Sequence, residues 1–196
     1  MKVLVFGAAG PTGRLVVDEA RAAGHEVTAW TRATHGDVTV DRGVVAKTLL
    51  GQDAVISTLG RSKSFRSKQL MSRAMDVILP AMEREGVHRL IVMSSFGVGE
   101  QLYEAPFIAR LFFRLPLRHI YNDKAIADDF VRDSRLDWTI VSPTLLTNKP
   151  KSGRVQAGEH LDLHGMPKIS RADVAEFLVR QLTDDTWLGK TVVISD

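Results

Sequence analysis

The chain has 196 residues, of which 44% are hydrophobic and 25% charged, the composition of an ordinary globular protein. It has no cysteine, which excludes disulfides, thiolate nucleophiles and cysteine metal sites and favours a cytoplasmic location. The net charge of +3 comes from scattered basic residues and no apolar run approaches membrane-spanning length, so we expect neither nucleic acid as a partner nor membrane insertion.

A strand followed at once by a glycine-rich turn opens the sequence. Lys2–Phe6 (KVLVF) is rich in valine, as strands buried on both faces are. The turn is Gly7-Ala8-Ala9-Gly10-Pro11-Thr12-Gly13, and a helical pattern follows it. Glycines let the backbone approach a pyrophosphate, to which the start of the helix offers N–H groups and a positive dipole end. The order therefore predicts a dinucleotide site, and the alternative is a purely structural turn.

The residue after the second predicted strand suggests which dinucleotide binds. Glu26–Thr31 (EVTAWT) predicts that strand, and Arg32 follows it with no acid before Asp37. A carboxylate here would bind the ribose 2′-hydroxyl of NAD, whereas the planar fork of an arginine suits the 2′-phosphate of NADP. We therefore predict NADP(H) over NAD(H), and the alternative is an ordinary surface arginine.

The middle of the chain alternates strands and helices. A third strand is expected within 33–41, although only Val38 and Val40 alternate there. A helix at 44–50, a buried strand at 54–59 (AVISTL), a long helix at about 67–85 and a strand at 90–93 come next. Repeated units of this kind predict an α/β fold with a doubly wound, Rossmann-like parallel sheet and helices on both faces. We expect a single domain over 1–196, with a small substrate-side region from the C-terminal third.

The second half of the chain is predicted in the same way. The apolar and basic segment Glu104–Arg118 could be a lid, a subunit contact or, least favoured, a membrane-surface helix. Asn122 is predicted to cap a helix over 123–134. A strand at 138–142 precedes Pro143, the stretch 149–164 reads as irregular, Ser170 caps another helix, and 191–194 forms a last strand.

The carboxyl ends of these strands should meet in one cleft. The predicted cofactor contacts there are Gly7, Ala9, Gly10, Pro11, Thr12, Gly13, Arg32, Asp37, Val38, Thr58, Leu59, Gly60, Ser94, Ser95, Pro143 and Leu145. The candidates for managing a proton or polarising the acceptor are Ser94, Ser95, Tyr121 and Lys124. A lysine close to a cationic nicotinamide would have a lowered pKa, but a lysine that only positions the ribose is an equal alternative.

Other chemistries have little support. The histidines do not form a metal-binding pattern: His160 and His164 stand four apart, but in an apparently irregular stretch without an obvious third ligand. No G-x-S-x-G elbow and no G-x-x-x-x-G-K-[ST] loop is present, which excludes an α/β-hydrolase and a P-loop NTPase. We therefore predict no metal.

The chain as a whole resembles the atypical short-chain dehydrogenase/reductases, in particular the NAD(P)H-binding group that contains biliverdin reductase B (flavin reductase) and the NmrA-like proteins. The matching stretches run from end to end of the chain: residues 5–13, 36–38, 51–56, 86–87, 136–143 and 170–175. The resemblance implies an NADPH-dependent reductase of flavin (FMN or FAD) or another flat conjugated acceptor. The sequence leaves open whether the protein is a monomer or a homodimer. Carried over, Gly7, Gly10, Thr12 and Gly13 would hold phosphates, Arg32 the 2′-phosphate, and Asp37 and Val38 the adenine.

The resemblance also has departures. Ser94 matches the region of the active-site serine and Lys124 the lysine of Y-x-x-x-K, but the tyrosine position of that motif is Ile120, with Tyr121 one residue late. Leu145 stands where the reductase has a histidine, and Ser142 where members have an arginine. The missing tyrosine favours the alternative of an NmrA-type NADP sensor without catalysis. A sugar-nucleotide epimerase or dehydratase is the third choice, because 196 residues leave little room for its substrate domain.

Overall fold

A computed structural model describes residues 1–60, 69–98 and 118–196. Strands and helices alternate along the chain. In order they are β1 (Lys2–Phe6), α1 (Pro11–Ala22), β2 (Glu26–Trp30), α2 (Arg32–His35), α3 (Arg42–Leu49), β3 (Ala54–Ser57), α4 (Leu70–Glu85), β4 (Arg89–Met93), α5 (Arg118–Arg132), β5 (Asp137–Pro143), β6 (Leu145–Thr147), β7 (Gln156–Gly158), β8 (Lys168–Ser170), α6 (Arg171–Arg180) and β9 (Lys190–Ser195). No helix within these ranges combines the length and apolarity needed to cross a bilayer.

The main sheet within these ranges has the strand order β2-β1-β3-β4-β5-β9-β7. All neighbouring pairs from β2 to β9 are parallel, and β7 joins the edge antiparallel to β9. β6 and β8 form a separate parallel pair. The predicted doubly wound, Rossmann-like sheet is therefore confirmed, with one short antiparallel strand at its edge.

Each face of the sheet carries its own apolar core. Alternate residues of β1 divide between the two, because successive side chains of a strand point to opposite faces. Leu4 and Phe6 pack with residues of α3, α4 and α5, whereas Val3 and Val5 pack with residues of α1 and α6. The helices thus cover both faces, as predicted, and leave the strand ends at the edges of the sheet.

The third strand expected within 33–41 is absent from the structure. Thr31 caps α2 immediately after β2, and its side chain accepts a hydrogen bond from the N–H of Thr34. A turn then follows, in which Asp41 accepts a hydrogen bond from the N–H of Asp37. α2 and this turn fill the stretch up to the start of α3 at Arg42, which leaves no room for a strand. The alternation of valines reflects one buried residue, Val38, in this turn.

The prediction that Asn122 caps its helix is also wrong. α5 begins at Arg118, so Asn122 lies inside the helix and is exposed. The expected lid or interface segment falls at 104–118, and its residues up to 117 lie outside the described ranges. Ser170, in contrast, caps α6 as predicted, since its side chain accepts a hydrogen bond from the N–H of Asp173.

Candidate functional site

The site lies where the parallel strands of the main sheet end. Phe6 pairs with Ser57, Ser57 with Val92, and Met93 with Val141, so β1, β3, β4 and β5 end at the same edge. The segments that follow these strands are 7–13, 58–60, 94–95 and 143–145. The structure therefore brings together the four segments that the sequence predicted to share a cleft.

The turn between β1 and α1 is built around glycines that admit no side chain. Gly7 has a φ of 79°, and the N–H of Gly10 donates to the Gly7 carbonyl at 2.9 Å. A Cβ on Gly13 would overlap that same carbonyl oxygen and lie 2.8 Å from Oγ1 of Thr58. The turn can therefore be this tight only with glycine at both positions.

The start of α1 presents its first N–H groups without a side-chain cap. Gly10 is the N-cap residue, makes no side-chain cap hydrogen bond, and is followed by Pro11. Ala9 and Pro11 are exposed, whereas Thr12 is buried. Uncapped N–H groups at the positive end of a helix dipole fit an anionic group such as a pyrophosphate. The residues of the turn thus fit a dinucleotide, with its phosphates at the start of α1.

The segment after β3 supports the glycine turn and offers accessible residues to a ligand. Thr58 is buried, and its hydroxyl donates to the carbonyl of Phe6 at 3.0 Å, which fixes Thr58 against the glycine turn. Leu59 is half-buried and Gly60 is exposed. Of these predicted cofactor contacts, Thr58 shapes the turn, whereas Leu59 and Gly60 have the exposure that a contact needs.

Arg32 lies where the sequence predicted it, at the start of α2 just beyond β2. Its side chain is 71% exposed and approaches Asp37 at 3.8 Å. Asp37 accepts hydrogen bonds from the backbone N–H and the hydroxyl of Thr39, and these bonds lower the pKa of its carboxyl. Val38 is buried in the core beside this turn. A guanidinium held so loosely remains able to bind a phosphate.

The two serines after β4 are each bound by a side chain of α5. The hydroxyl of Ser94 donates to Oδ2 of Asp128 at 2.6 Å, and Nζ of Lys124 donates to Oγ of Ser95 at 2.8 Å. Ser94, Lys124 and Asp128 are buried, whereas Ser95 is half-buried. The structure thus joins three predicted proton-managing residues, Ser94, Ser95 and Lys124, into one cluster with Asp128.

Burial shifts the pKa of both ionisable side chains of this cluster, Lys124 and Asp128. It lowers the pKa of Lys124 to about 8, although Asp128 and Asp123 act in the opposite direction. It raises the pKa of Asp128 to about 6, against the hydrogen bond from Ser94 and the charge of Lys124. A lysine that gives up its proton close to neutral pH suits a general acid.

Asp123 and Asp128 are functional candidates that the sequence analysis missed. Asp123 accepts hydrogen bonds from the N–H groups of Met71 and Ser72 and from the Ser72 hydroxyl, and so fixes α5 to the start of α4. A signal was present in the sequence. Asp128 lies four residues after Lys124, so the two charged residues share the buried face of the helix. That face of an amphipathic helix ordinarily carries apolar residues.

The remaining predicted residues are Tyr121, Pro143 and Leu145. Tyr121 is half-buried, and burial raises the pKa of its phenol, which makes it a weaker acid. Pro143 ends β5 and accepts a hydrogen bond from the N–H of Phe96 at its carbonyl, and Leu145 is 46% exposed. The structure does not bring three histidine or carboxylate groups within its described ranges into an arrangement that could hold a metal ion.

A parallel sheet wound on both faces, with a glycine turn before its first helix, defines an NAD(P)-binding Rossmann-fold protein of the oxidoreductase type. The chain belongs to the NAD(P)H-binding family, whose model matches residues 7–185.

The chain is similar to proteins known from sequence and to proteins of solved structure. UPF0659 protein YMR090W of Saccharomyces cerevisiae is 26% identical over 206 residues, 93% of this chain and 87% of that protein. A candidate NAD-dependent epimerase/dehydratase from Bacillus halodurans is 26% identical with a TM-score of 0.81, over 100% of this chain and 94% of that one. A candidate NADH-flavin reductase from Streptococcus pneumoniae is 25% identical with a TM-score of 0.78, over 100% and 99% of the two chains.

Proposed function

We propose that this protein is an NADPH-dependent reductase of a flavin, or of a similar planar conjugated acceptor. The observation that carries the proposal is the Lys124–Ser95 hydrogen bond of 2.8 Å at the carboxyl edge of the sheet. NADPH supplies a hydride when it is bound, and reduction of the acceptor then requires one proton from the protein. A buried lysine with a pKa of about 8, next to a half-buried hydroxyl, is suited to supply that proton.

The residues of the glycine turn would hold the cofactor at the same edge. Gly7, Gly10 and Gly13 allow the pyrophosphate to approach the backbone, and the start of α1 supplies N–H groups. Gly60 and Leu145 are exposed and would flank the nicotinamide end. The name of the Streptococcus pneumoniae relative, a candidate NADH-flavin reductase, agrees with a flavin as acceptor.

Arg32 is the proposed contact for the 2′-phosphate. Its side chain is 71% exposed, and its only described ion pair, with Asp37 at 3.8 Å, is long. Charge-assisted hydrogen bonds contribute about 1.5–3 kcal/mol, so loss of this contact should weaken NADPH binding roughly 10- to 100-fold. NADH lacks the phosphate and should be little affected.

The test is NADPH oxidation with FMN as acceptor, in the wild type and in Arg32→Ala. Arg84→Ala is the matched control, because Arg84 is 63% exposed, pairs with Glu85 and lies in the last turn of α4, away from the site. We expect a higher KM for NADPH in Arg32→Ala only. Equal effects of the two substitutions would contradict the role of Arg32, and no turnover with any flavin or quinone would contradict the reductase.

An NADP-sensing module of NmrA type is the second candidate function. Ile120 occupies the position of the usual tyrosine acid, and the phenol of Tyr121 next to it is half-buried with a raised pKa. Tight NADPH binding without turnover of any acceptor would favour this candidate. So would a partner protein whose binding depends on the ratio of NADPH to NADP⁺.

A further inference from the structure

The two adjacent serines after β4 have opposite roles in their hydrogen bonds: one donates and the other accepts. A serine hydroxyl carries one proton and two lone pairs. Ser94 gives its proton to Asp128 at 2.6 Å, whereas Ser95 accepts a proton from Lys124 at 2.8 Å. Ser94 can therefore offer only lone pairs to a bound molecule while Asp128 is ionised. Ser95 keeps its own proton available to donate.

The exposure of the two residues also favours Ser95 as the donor. Ser94 is 2% exposed, and Asp128 beside it is 3% exposed, so this pair is enclosed. Ser95 is half-buried. It follows the carboxyl end of β4, at the same edge of the sheet as the glycine turn. Of the two serines, Ser95 is therefore the more accessible to a bound acceptor.

We propose that Ser95 donates the proton to the acceptor, that Lys124 restores the proton of Ser95, and that Asp128 holds Ser94 in the orientation in which it cannot donate. This relay rests on the proposed reductase function. It selects Ser95 as the proton donor from among the candidates that the sequence suggested.

The proton and electron balance of the relay is complete. The acceptor gains two electrons and one hydrogen as hydride from NADPH, which becomes NADP⁺. The acceptor atom that carries the new negative charge takes the proton from Oγ of Ser95. Oγ of Ser95 takes a proton from Nζ of Lys124, which is left as a neutral amine and regains a proton from water after the product leaves.

Several groups around Lys124 set the pH at which the relay operates. Asp128 and Asp123 of its own helix both favour its charged form, and Ser95 after β4 accepts its hydrogen bond. From α4, the N–H groups of Met71 and Ser72 face the same region and bind Asp123. Around Asp128, Arg132 lowers and Asp129 raises the pKa of the carboxyl. The rate should accordingly fall as pH rises through about 8, where Lys124 loses its proton.

The experiment compares Ser95→Ala, Ser95→Thr and Lys124→Met in the FMN-dependent oxidation of NADPH. General acid catalysis contributes about 10²–10⁴-fold, so Ser95→Ala should lower kcat at least about 100-fold. Ser95→Thr keeps the hydroxyl and should recover much of that loss. Because the two groups act in series, the double variant Ser95→Ala/Lys124→Met should be no slower than either single variant. Ser134→Ala is the control, since Ser134 follows α5 at the opposite edge of the sheet.

Two further measurements do not depend on turnover. The Kd for NADPH, measured by fluorescence, should stay within about 3-fold in Ser95→Ala if Ser95 acts on the acceptor. NMR titration of the Lys124 side chain should show a pKa well below that of an ordinary lysine, and Asp128→Asn should lower it further because a neighbouring negative charge is lost.

The outcomes separate the relay from the reductase function. Turnover in the wild type that persists in Ser95→Ala, or an ordinary pKa for Lys124, overturns the relay and leaves the reductase function standing. Absence of turnover in the wild type with every acceptor overturns both. A large loss in Ser95→Ala, recovery in Ser95→Thr and an unchanged Kd for NADPH support the relay.

Discussion

The close packing of the glycine turn predicts that Gly13→Ala lowers both the stability of the protein and its affinity for NADPH. An ideal Cβ at this position would overlap the carbonyl oxygen of Gly7 and lie 2.8 Å from Oγ1 of Thr58. Neither atom can move freely. The Gly7 carbonyl accepts the N–H of Gly10 at 2.9 Å, and the Thr58 hydroxyl is bonded to the carbonyl of Phe6. The start of α1 must therefore shift away from β1.

The size of the effect follows from these contacts. Overpacking of a rigid site costs about 1–3 kcal/mol, and loss of the Gly7–Gly10 hydrogen bond adds about 1 kcal/mol. A loss of roughly 2–4 kcal/mol corresponds to a fall in Tm of roughly 4–16 °C for a chain of this size. The first N–H groups of α1 move with the helix, so the Kd for NADPH should rise roughly 10- to 100-fold.

Gly43→Ala is the matched control for this substitution. Gly43 lies in α3, and a Cβ there would meet no atom within 4 Å. Alanine is the better helix former, so the control should gain up to about 1 kcal/mol in stability and bind NADPH as the wild type does. Thermal unfolding and fluorescence titration of both variants provide the test. A Gly13→Ala variant with the Tm and the Kd of the wild type would refute the close approach at the glycine turn.

Substitutions at three buried carboxylates provide further tests. Asp173→Ala leaves the N–H groups of Ser152 and Gly153 without their acceptor, so the free energy of unfolding in urea should fall by about 2–4 kcal/mol. Burial alone would raise the pKa of Asp173, but its hydrogen bonds outweigh burial and lower it. The wild type should therefore lose the stability that the ionised carboxylate contributes as pH falls below about 4. The variant lacks the carboxylate and should show no such loss. Asp123→Ala removes the acceptor for the first N–H groups of α4 and should cost about 1–3 kcal/mol in thermal unfolding, whereas Asp123→Asn should cost less. For Asp128, burial raises the pKa to about 6, so the wild type should gain roughly 2–3 kcal/mol relative to Asp128→Asn as pH falls from 6 to 4, and a constant difference would contradict this.

The sequence predicted the sheet well because its strands are short apolar runs bounded by glycine. β1, β3 and β4 are buried on both faces, so hydrophobicity alone marks them. The Ser170 cap was predicted because Asp173 stands three residues on and both belong to a local motif. Features determined by neighbouring residues in the sequence were therefore predictable.

The errors arose where side-chain hydrogen bonds decide the structure, because hydrophobic patterning does not reveal them. The valines at 38 and 40 alternate as in a strand, yet the capping of α2 by Thr31 and the Asp41 hydrogen bond favour a turn. The role of Asp128 depends on Ser94, which lies 34 residues earlier in the chain. This pairing with Ser94 cannot be predicted from spacing along the sequence.

The two halves of the candidate site are held by different parts of the fold. The cofactor half depends on β1, Thr58 and the glycines at 7 and 13. The proton-donating half depends on α5, which Asp123 fixes to the N–H groups at the start of α4. Lys124 on this helix, which restores the proton of Ser95, is therefore held in place before any ligand binds. Substitutions in the glycine turn should therefore change the Kd for NADPH, whereas Ser95→Ala and Lys124→Met should change kcat, because the contacts that fix the two halves do not overlap.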